Sequence, residues 1–373
     1  MLYRLILALL ISVLAPAAFA MDTPARQAIL IDADTRTVLF EKNSQERMPT
    51  SSMSKVLTSY LVFQALKDGN LKLDQTFPVS EKAWKMEGSK MFAPLNSQVK
   101  VEDLIRGLTI QSGNDAAVIL AEGLAGSEEA FADRMNKKAA ELGMKGSHFM
   151  NASGWPDPNH YSTAYDLALL AYNLIHNFPE YYHYDSEKEF TYNKIKQGNR
   201  NPLLYRNIGA DGVKTGHTEE GGYGLIGSAV QDGRRLILVV NGLETMQDRA
   251  DESARLLSWG FSNFKHLNMF KAGEPVETVK VWMGVKPSVI AVTKEDVKAI
   301  YNIAEKEKLQ AAAVVNEPLQ APVKKGDFVG ELRIRMGDFP ERKIPLYAAE
   351  DVPQLGLLPR MIERARLMVG GSE

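Results

Sequence analysis

Apolar runs predict strands at two distant places in the chain. Residues 28–32 and 37–40 are apolar and are separated by a short turn-like segment, which indicates a hairpin. Residues 223–230 and 234–240 repeat this pattern around a turn that ends in glycine. Helical spacing prevails between the two pairs. We therefore expect an α/β (α+β) domain in which strands from both ends form one mixed sheet with helices packed on it.

The middle of the chain shows helical periodicity of its apolar positions. A helix should begin near Ser51 or Ser52 and end at Gly69, and Ser162 or Thr163 can cap a later helix. The further helices that this periodicity predicts cover residues 101–108, 115–124, 128–142, 163–176 and 251–261.

The last hundred residues differ from the rest. Alternating apolar residues with frequent Pro and Gly predict a small β-rich domain over 266–350. Residues 351–373 return to helical spacing, with a polar face that is mainly basic. Such a helix can lie in a membrane interface or pack on its own domain, and periodicity alone leaves both open. Its apolar positions are Leu358, Met361, Ile362, Ala365, Met368 and Val369.

The first twenty residues have the pattern of an export signal. A positive residue precedes the apolar segment 5–14, which is too short to span a bilayer, and a small-x-small cleavage site ends at Ala20. We therefore expect a signal peptide over 1–20 and an exported first domain over 21–265, with an uncleaved anchor as the alternative.

Composition narrows the possible chemistry. The chain has 373 residues, of which 45% are hydrophobic, enough for two or three domains. Its net charge of -2 implies no general attraction to nucleic acid. The absence of cysteine excludes disulfides, thiolate metal sites and a cysteine nucleophile. The histidines show no zinc-binding spacing, so we expect no metal and no cofactor.

Three short motifs carry the candidate chemistry. Residues 52–55 are S-x-x-K, residues 112–114 are S-x-N and residues 214–216 are K-T-G. Together they form the signature of the serine acyl-transfer enzymes that include penicillin-binding proteins and β-lactamases. S-x-x-K also occurs at Ser97 and Ser262, but only the copy at 52–55 opens an apolar-periodic helix and precedes the other two motifs.

The spacing of the first motif has a physical reason. Residues three apart in a helix share a face, so the Lys55 amine can reach the Ser52 hydroxyl and act as its general base. A free lysine has a pKa of about 10.4. Burial and the nearby positive charge of Lys214 would both lower it. At the start of a helix, the Ser52 backbone N–H can also stabilise a developing oxyanion.

The other two motifs supply candidate binding groups. Ser112 can relay a proton between the base and a leaving amine, and Asn114 can hydrogen-bond a peptide backbone. Lys214 and Thr215 can hold a carboxylate, and Gly216 lets the strand approach a ligand closely. The structural alternative is a capping serine, a turn asparagine and a solvated lysine.

At these motifs the chain resembles the low-molecular-mass penicillin-binding proteins, specifically D-alanyl-D-alanine carboxypeptidases of the 5 and 6 type. The resemblance covers nearly the whole chain, including the β-rich domain and the terminal amphipathic helix. Outside the motifs it is carried by residues 28–30, 40–43, 47–49, 115–116, 161–164, 211–213 and 217–218.

The resemblance implies a role for each matched residue. Ser52 would be the acylated nucleophile and Lys55 its base, and the N–H groups of Ser52 and His217 would form the oxyanion hole. Arg249 would help to bind the substrate's terminal carboxylate, and Arg200 would be another substrate-binding arginine of the site. The remaining site residues would be Ser112, Asn114, Lys214, Thr215 and Gly216.

The reaction implied by the resemblance is removal of the terminal D-Ala from peptidoglycan pentapeptide stems, with β-lactams acylating the same serine. The protein would be periplasmic and attached peripherally to the outer face of the inner membrane by its terminal helix. The oligomeric state is left open.

Three alternatives accompany this interpretation. A D,D-endopeptidase acting on cross-links shares the chemistry. A β-lactamase shares the motifs, but no Glu-x-x-Leu-Asn lies between the second and third. A non-catalytic wall-binding protein would have decayed motifs. The chain also departs from the family at Ser51, Met53 and Ser54 and in the loop 154–158, which leaves substrate detail open.

Overall fold

The computed structural model describes residues 21–337 and 339–362. The predicted signal peptide, 1–20, and the end of the predicted terminal helix, 363–373, lie outside the described residues.

Strands and helices follow one another along the chain in three stretches: a hairpin, a helical middle, and a strand-rich remainder interrupted by one long helix. The strands are β1 (Gln27–Asp32), β2 (Thr37–Lys42), β3 (Thr76–Pro78), β4 (Gln98–Lys100), β5 (Glu189–Tyr192), β6 (Ile195–Gly198), β7 (Ala210–Thr218), β8 (Gly222–Gln231), β9 (Arg234–Leu243), β10 (Phe264–Phe270), β11 (Pro275–Trp282), β12 (Ser288–Val292), β13 (Val297–Asn302), β14 (Leu309–Val315), β15 (Leu319–Gln320), β16 (Phe328–Met336) and β17 (Arg342–Ala348). The α-helices are α1 (Lys55–Lys67), α2 (Glu81–Lys85), α3 (Val101–Thr109), α4 (Asn114–Ala125), α5 (Glu128–Glu141), α6 (Ala164–Asn177) and α7 (Met246–Asn263). Short 3-10 helices occupy Ser51–Ser54, Tyr182–Ser186, Pro202–Tyr205 and Ile303–Lys308.

The central sheet is built from both predicted strand pairs. It has five strands in the order β2-β1-β9-β8-β7, and β7, which carries K-T-G, is an edge strand. The predicted α/β class is confirmed, but the expected mixed strand direction is wrong, because all neighbouring pairs of this sheet are antiparallel. Short turns join β1 to β2, β7 to β8 and β8 to β9, and a short turn can connect only antiparallel neighbours.

Both faces of the central sheet are buried, and the alternation of side chains divides them between two cores. Ile29 and Ile237 belong to the core that includes the middle helices. Their neighbours Leu30 and Leu238 belong to the core that includes Leu256 of α7. Helices on both sides explain why the strands appear in the sequence as continuous apolar runs.

Most predicted helices are confirmed to within a few residues. The first begins as the 3-10 turn Ser51–Ser54 and continues as α1. α7 begins at Met246, earlier than the predicted residue 251, because the Thr245 side chain accepts the backbone N–H of Asp248 at 3.0 Å and caps the first turn. The short elements α2 and β3–β6 were not predicted, since three to five residues are too few to show a period.

The C-terminal part contains a six-stranded sheet in the order β14-β16-β17-β12-β11-β15, and β10 pairs with β13. The proposed domain boundary after residue 265 falls inside β10 and stays a prediction. Residues 357–362 are helical, with Leu358 and Met361 exposed. Within residues 21–337 and 339–362, no helix is both long and apolar enough to cross a bilayer.

Candidate active site

Ser52 lies in the 3-10 turn that leads into α1, and this turn is closely enclosed. Ser51 has a φ of 50°, a conformation that is unusual for a residue with a side chain. A Cβ on Gly216 would come within 2.9 Å of the Thr50 carbonyl oxygen, and a Cβ on Gly154 within 1.8 Å of the Ser51 carbonyl oxygen. Gly216 was expected to let β7 approach a ligand; in the structure it lets β7 approach the turn that carries Ser52.

Lys55 is fully buried at the first turn of α1 and contacts three oxygens. Its Nζ lies 2.9 Å from Ser52 Oγ, 2.7 Å from Asn114 Oδ1 and 2.6 Å from the Ser153 carbonyl oxygen. The amide and carbonyl oxygens can only accept hydrogen bonds. A neutral Lys55 amine would therefore donate its two N–H groups to them and turn its lone pair toward the Ser52 hydroxyl.

The surroundings favour that neutral amine. Burial lowers the pKa of Lys55 well below its usual value, and the positive charges of Lys214 and Arg200 lower this pKa further. The carboxylates of Asp115 and Glu128 act in the opposite direction and are weaker influences. The sequence-based expectation that burial and Lys214 would both depress the pKa of Lys55 agrees with this arrangement.

Ser112 and Lys214 form the second part of the site. Ser112 precedes α4 with a φ of 59°, and its side chain is buried. Lys214 Nζ donates a hydrogen bond to Ser112 Oγ at 2.8 Å. Burial, followed by the charges of Arg200 and Arg249, lowers the pKa of Lys214 to about 7. The lysine of the third motif therefore titrates near neutral pH.

Asn114 holds Lys55 from the start of α4. Its Oδ1 accepts a hydrogen bond from Lys55, and its Nδ2 donates to the Glu87 carbonyl oxygen at 2.8 Å. The predicted hydrogen bond to a substrate backbone would have to use the remaining N–H or lone pair of this amide. The next residue, Asp115, anchors the neighbouring loop by accepting backbone N–H groups from Met91, Phe92 and Ala93.

Two arginines lie close to Lys214. Arg249 is buried beneath the Tyr223 ring, with its guanidinium carbon 5.6 Å from the ring centroid. Arg200 donates a hydrogen bond to Ser89 Oγ. Both arginines depress the pKa of Lys214, so the three cations act on one another. Three neighbouring cations favour binding of a carboxylate.

His217 follows the third motif on β7. Its ring stacks on Tyr223 with centroids 3.9 Å apart, and the two residues are cross-strand partners in the β7–β8 pair. Thr215, two residues earlier on the same strand, is buried. An oxyanion hole formed by the N–H groups of Ser52 and His217 stays a prediction.

A groove of about 1050 Å³ leads away from Ser52. One wall is the loop 153–161, and the other is the end of β7 with residues 217–220. From the predicted site residues, Ser52, Asn114 and His217 line this groove. Eight of the ten predicted site residues thus come together around one turn, one helix start and one edge strand. Arg249 on α7 and Arg200 after β6 act on Lys214 from outside these three elements.

The loop 148–162 was not assigned a role from the sequence. It nevertheless makes several contacts with the 3-10 turn Ser51–Ser54, which carries Ser52 and is called the nucleophile turn below. It supplies the Ser153 carbonyl to Lys55, and Gly154 lies against Ser51. His160, in this loop, is buried, and its Nε2 forms a hydrogen bond with Ser54 Oγ at 2.7 Å. The unusual composition of residues 154–158 was the only signal that could have drawn attention to this loop.

A serine hydroxyl beside a buried lysine, facing an edge strand with a second lysine, is the arrangement of the serine acyl-transfer enzymes. The family model for D-alanyl-D-alanine carboxypeptidases matches residues 14–245, and the model for the C-terminal domain of penicillin-binding protein 5 matches residues 264–354. The chain therefore belongs to the D-alanyl-D-alanine carboxypeptidase family, and the predicted family and enzyme class are confirmed.

Individual relatives agree with this assignment. The chain is 40% identical over 362 residues to D-alanyl-D-alanine carboxypeptidase DacC of Escherichia coli K12, covering 93% of this chain and 90% of that protein. The crystal structure of penicillin binding protein 5 from Haemophilus influenzae has a TM-score of 0.84 and 37% identity, covering 90% of this chain and 99% of that one. Penicillin-binding protein D2 from Listeria monocytogenes, in its ampicillin-bound form, has a TM-score of 0.60 and 32% identity, covering 65% and 99%.

Proposed function

We propose that this chain removes the terminal D-Ala from peptidoglycan pentapeptide stems and that Ser52 carries the acyl group. The observation that supports this most directly is the geometry of Lys55: two acceptor oxygens occupy its N–H groups, and Ser52 Oγ lies 2.9 Å from its nitrogen. A buried amine with a lowered pKa is a competent general base at neutral pH. The family to which the chain belongs has this activity in its name.

Acylation begins with the Ser52 hydroxyl. Its proton passes to the Lys55 lone pair while Oγ attacks the carbonyl carbon of the penultimate D-Ala, and a tetrahedral oxyanion forms. The start of the helix favours negative charge at this point. Collapse of the oxyanion breaks the carbon–nitrogen bond. The leaving amine must then gain a proton, and Ser112 Oγ, polarised by Lys214 at 2.8 Å, relays it from the Lys55 ammonium.

The terminal carboxylate of the leaving D-Ala is held by the positive charges of Lys214, Arg249 and Arg200. Their mutual proximity is unfavourable in the free enzyme, and a bound carboxylate relieves it. Water then attacks the Ser52 ester. Lys55 accepts the water proton and returns a proton to Ser52 Oγ, which restores the starting state.

This assignment predicts a single labelled residue. A fluorescent penicillin should acylate the wild-type chain, and peptide mapping should find the adduct on Ser52. Ser52→Ala should abolish both labelling and release of D-Ala from a linear pentapeptide, whereas Ser97→Ala, which alters an unrelated S-x-x-K, should keep both. An adduct on another residue would overturn the assignment. The ampicillin-bound form of the Listeria monocytogenes relative supports the use of a β-lactam probe.

A carboxypeptidase and a cross-link endopeptidase would both label with penicillin. The choice between them rests on substrate, so the purified enzyme should be offered a linear pentapeptide and a cross-linked dimer in parallel. We expect faster release of D-Ala from the linear peptide, in line with the name of the family. Faster cleavage of the dimer would favour the endopeptidase.

The periplasmic location and the membrane attachment are also proposals. The export pattern of residues 1–20 and the amphipathic pattern of residues 351–373 support them. Cell fractionation of the full chain and of a chain that ends at residue 356 tests both points. We expect the full chain in the membrane fraction and the shortened chain in the soluble periplasmic fraction. Recovery of the full chain as soluble periplasmic protein would contradict the attachment.

A further inference from the structure

The loop 148–162 holds the nucleophile turn and α1 from outside. The Ala152 carbonyl oxygen accepts a hydrogen bond from Thr58 Oγ1 at 2.7 Å, one turn along α1 from Lys55. At the other end of the loop, Ser162 exchanges backbone hydrogen bonds with Met48, just before the turn. His160 lies between Ala152 and Ser162 in the sequence, and its side chain contacts the nucleophile turn directly.

His160 connects the loop to the nucleophile turn through a chain of three hydrogen bonds. The Met150 backbone N–H donates to its Nδ1 at 3.2 Å. Its Nε2 lies 2.7 Å from Ser54 Oγ, and Ser54 Oγ lies 2.5 Å from Thr50 Oγ1. Since Nδ1 accepts, the neutral ring must carry its hydrogen on Nε2 and donate it to Ser54. Ser54 can then donate to Thr50 Oγ1, so the hydrogen bonds of the chain run in one direction, from His160 through Ser54 to Thr50.

The environment keeps His160 neutral. It is buried, and the Phe149 ring lies edge-on at 5.4 Å between centroids. Burial lowers the pKa of His160 to about 4. The charged or titratable groups that act on it are Asp157, which raises this pKa, and His148 and Lys55, which lower it. The ring therefore keeps one donor and one acceptor throughout the neutral range.

The nucleophile turn needs external support. It is a single 3-10 turn, its N-cap residue Thr50 makes no capping hydrogen bond with its side chain, and Ser51 holds a positive φ. Thr50 and Ser54 flank Ser52 on both sides. A hydrogen-bond chain that joins these flanking residues to a loop anchored at Ala152 and Ser162 therefore sets the position of the residue between them.

We propose that His160 is a positioning residue for acyl transfer, because its Nε2–H, donated to Ser54, holds the Thr50–Ser54 turn so that Ser52 Oγ and its backbone N–H stay aligned with Lys55 and the groove. This inference rests on the proposed function of Ser52 as the nucleophile. His160 itself exchanges no proton with the substrate. Misplacement of a reacting atom by about 1 Å can reduce a rate about 100-fold, so a small shift of the turn would be measurable.

The first test compares His160→Gln with His160→Ala in the full chain. The Gln amide N–H can replace the donation to Ser54, whereas Ala cannot. We expect His160→Ala to lower the acylation rate constant with a fluorescent penicillin, and kcat for D-Ala release, by about 30-fold per active site, with KM changed less than about threefold. His160→Gln should recover most of this loss. Counting active sites by penicillin labelling separates a slower site from a smaller folded fraction.

His148 provides the matched control. It lies in the same loop, is more exposed, and its Nδ1 contacts the Asn159 carbonyl oxygen rather than the turn. His148→Ala should leave the acylation rate within about twofold of wild type. An equal loss in His148→Ala and His160→Ala would show a general effect of the loop and would overturn the proposal, as would a His160→Ala enzyme of normal rate.

The second test changes Ser54, which accepts the hydrogen bond, instead of His160, which donates it. Ser54→Ala breaks the same chain and keeps His160, so it remains informative if His160→Ala fails to fold. The His160→Ala/Ser54→Ala double variant should be acylated no more slowly than the slower single variant, because both substitutions break the same hydrogen bond between the loop and the nucleophile turn. Losses of acylation rate that multiply in the double variant would overturn the proposal.

A wild-type enzyme that is acylated but releases no D-Ala would instead contradict the proposed function. The acylation rates of the variants would still decide the role of His160.

Discussion

The two large sheets of this molecule differ in how deeply charged side chains are buried in and around them. In the central sheet, Lys214 is 4% exposed, and near it Lys55 and Arg249 are also buried. In the C-terminal sheet, by contrast, the Lys280 side chain is 77% exposed, although it lies within 4.0 Å of Glu317. Desolvation lowers the pKa values of Lys55, Lys214 and Arg249 in the first group.

This difference indicates where chemistry is possible. Burying a cation is costly unless partners or a functional need compensate for it. In the central sheet, cations are buried despite this cost at the point where the edge strand β7 contacts the nucleophile turn. The C-terminal sheet has a compact apolar core that includes Val279, Val329 and Leu346, with charge on its outside. Substitutions of buried and exposed cations should therefore have very different effects.

The largest effect is expected for Lys55→Met, which replaces the buried base with an apolar side chain of similar length. Loss of the general base should reduce the rate of penicillin acylation by about 1000-fold. Stopped-flow or gel-based labelling measures the rate, and circular dichroism reports whether the fold persists. A folded Lys55→Met enzyme that acylates at a rate close to wild type would show that the buried lysine has no catalytic part.

The next effect concerns Gly154, whose φ is 78° and whose added Cβ would lie 1.8 Å from the Ser51 carbonyl oxygen. Gly154→Ala must displace either the loop or the nucleophile turn, so it should destabilise the protein by about 3 kcal/mol and slow acylation. Gly233→Ala is the control, because its φ is 74° but nothing lies within 4 Å of its Cβ. Equal changes in Tm and acylation for the two variants would mean that the close contact with Ser51 does not matter.

A smaller effect should appear in the pH dependence of substrate binding. Because the pKa of Lys214 is lowered to about 7, its ammonium is present below that pH and is lost as the pH rises through it. KM for a pentapeptide should therefore rise about tenfold between pH 6 and pH 9. Lys214→Arg keeps its charge over this range, so its KM should be nearly constant. A wild-type KM that does not change with pH would contradict a carboxylate-binding role for this lysine.

The smallest effect is expected for the exposed pair Lys286–Glu350 of the C-terminal part, whose atoms lie 2.5 Å apart with side chains 52% and 45% exposed. Exposed ion pairs contribute little because water screens them. Lys286→Ala should change Tm by less than about 1 °C and leave acylation unaffected. A loss of several degrees would show that surface charge in the C-terminal part matters more than its exposure suggests.

Much of the site could be predicted because its chemistry is local in the chain. Ser52 and Lys55 are three residues apart at a helix start, and that spacing alone brings a hydroxyl and an amine together. The apolar runs of β8 and β9 and the helical period of α3 to α6 were equally local signals. The edge position of β7 was harder to see, since its sequence contains two glycines, a lysine and a histidine, with little apolar alternation.

By itself, the sequence determined the family and the residue types that carry the chemistry, because both follow from short motifs with fixed spacings. It also determined the helices that present these residues, because side-chain periodicity reveals them. Tertiary structure alone decided that Ser153 and Asn114 occupy the two N–H groups of Lys55, that Gly154 lies against Ser51, and that His160 reaches Ser54. These contacts join segments separated by 59 to 106 residues. No local period encodes them, since they exist only when the whole core brings those segments into contact.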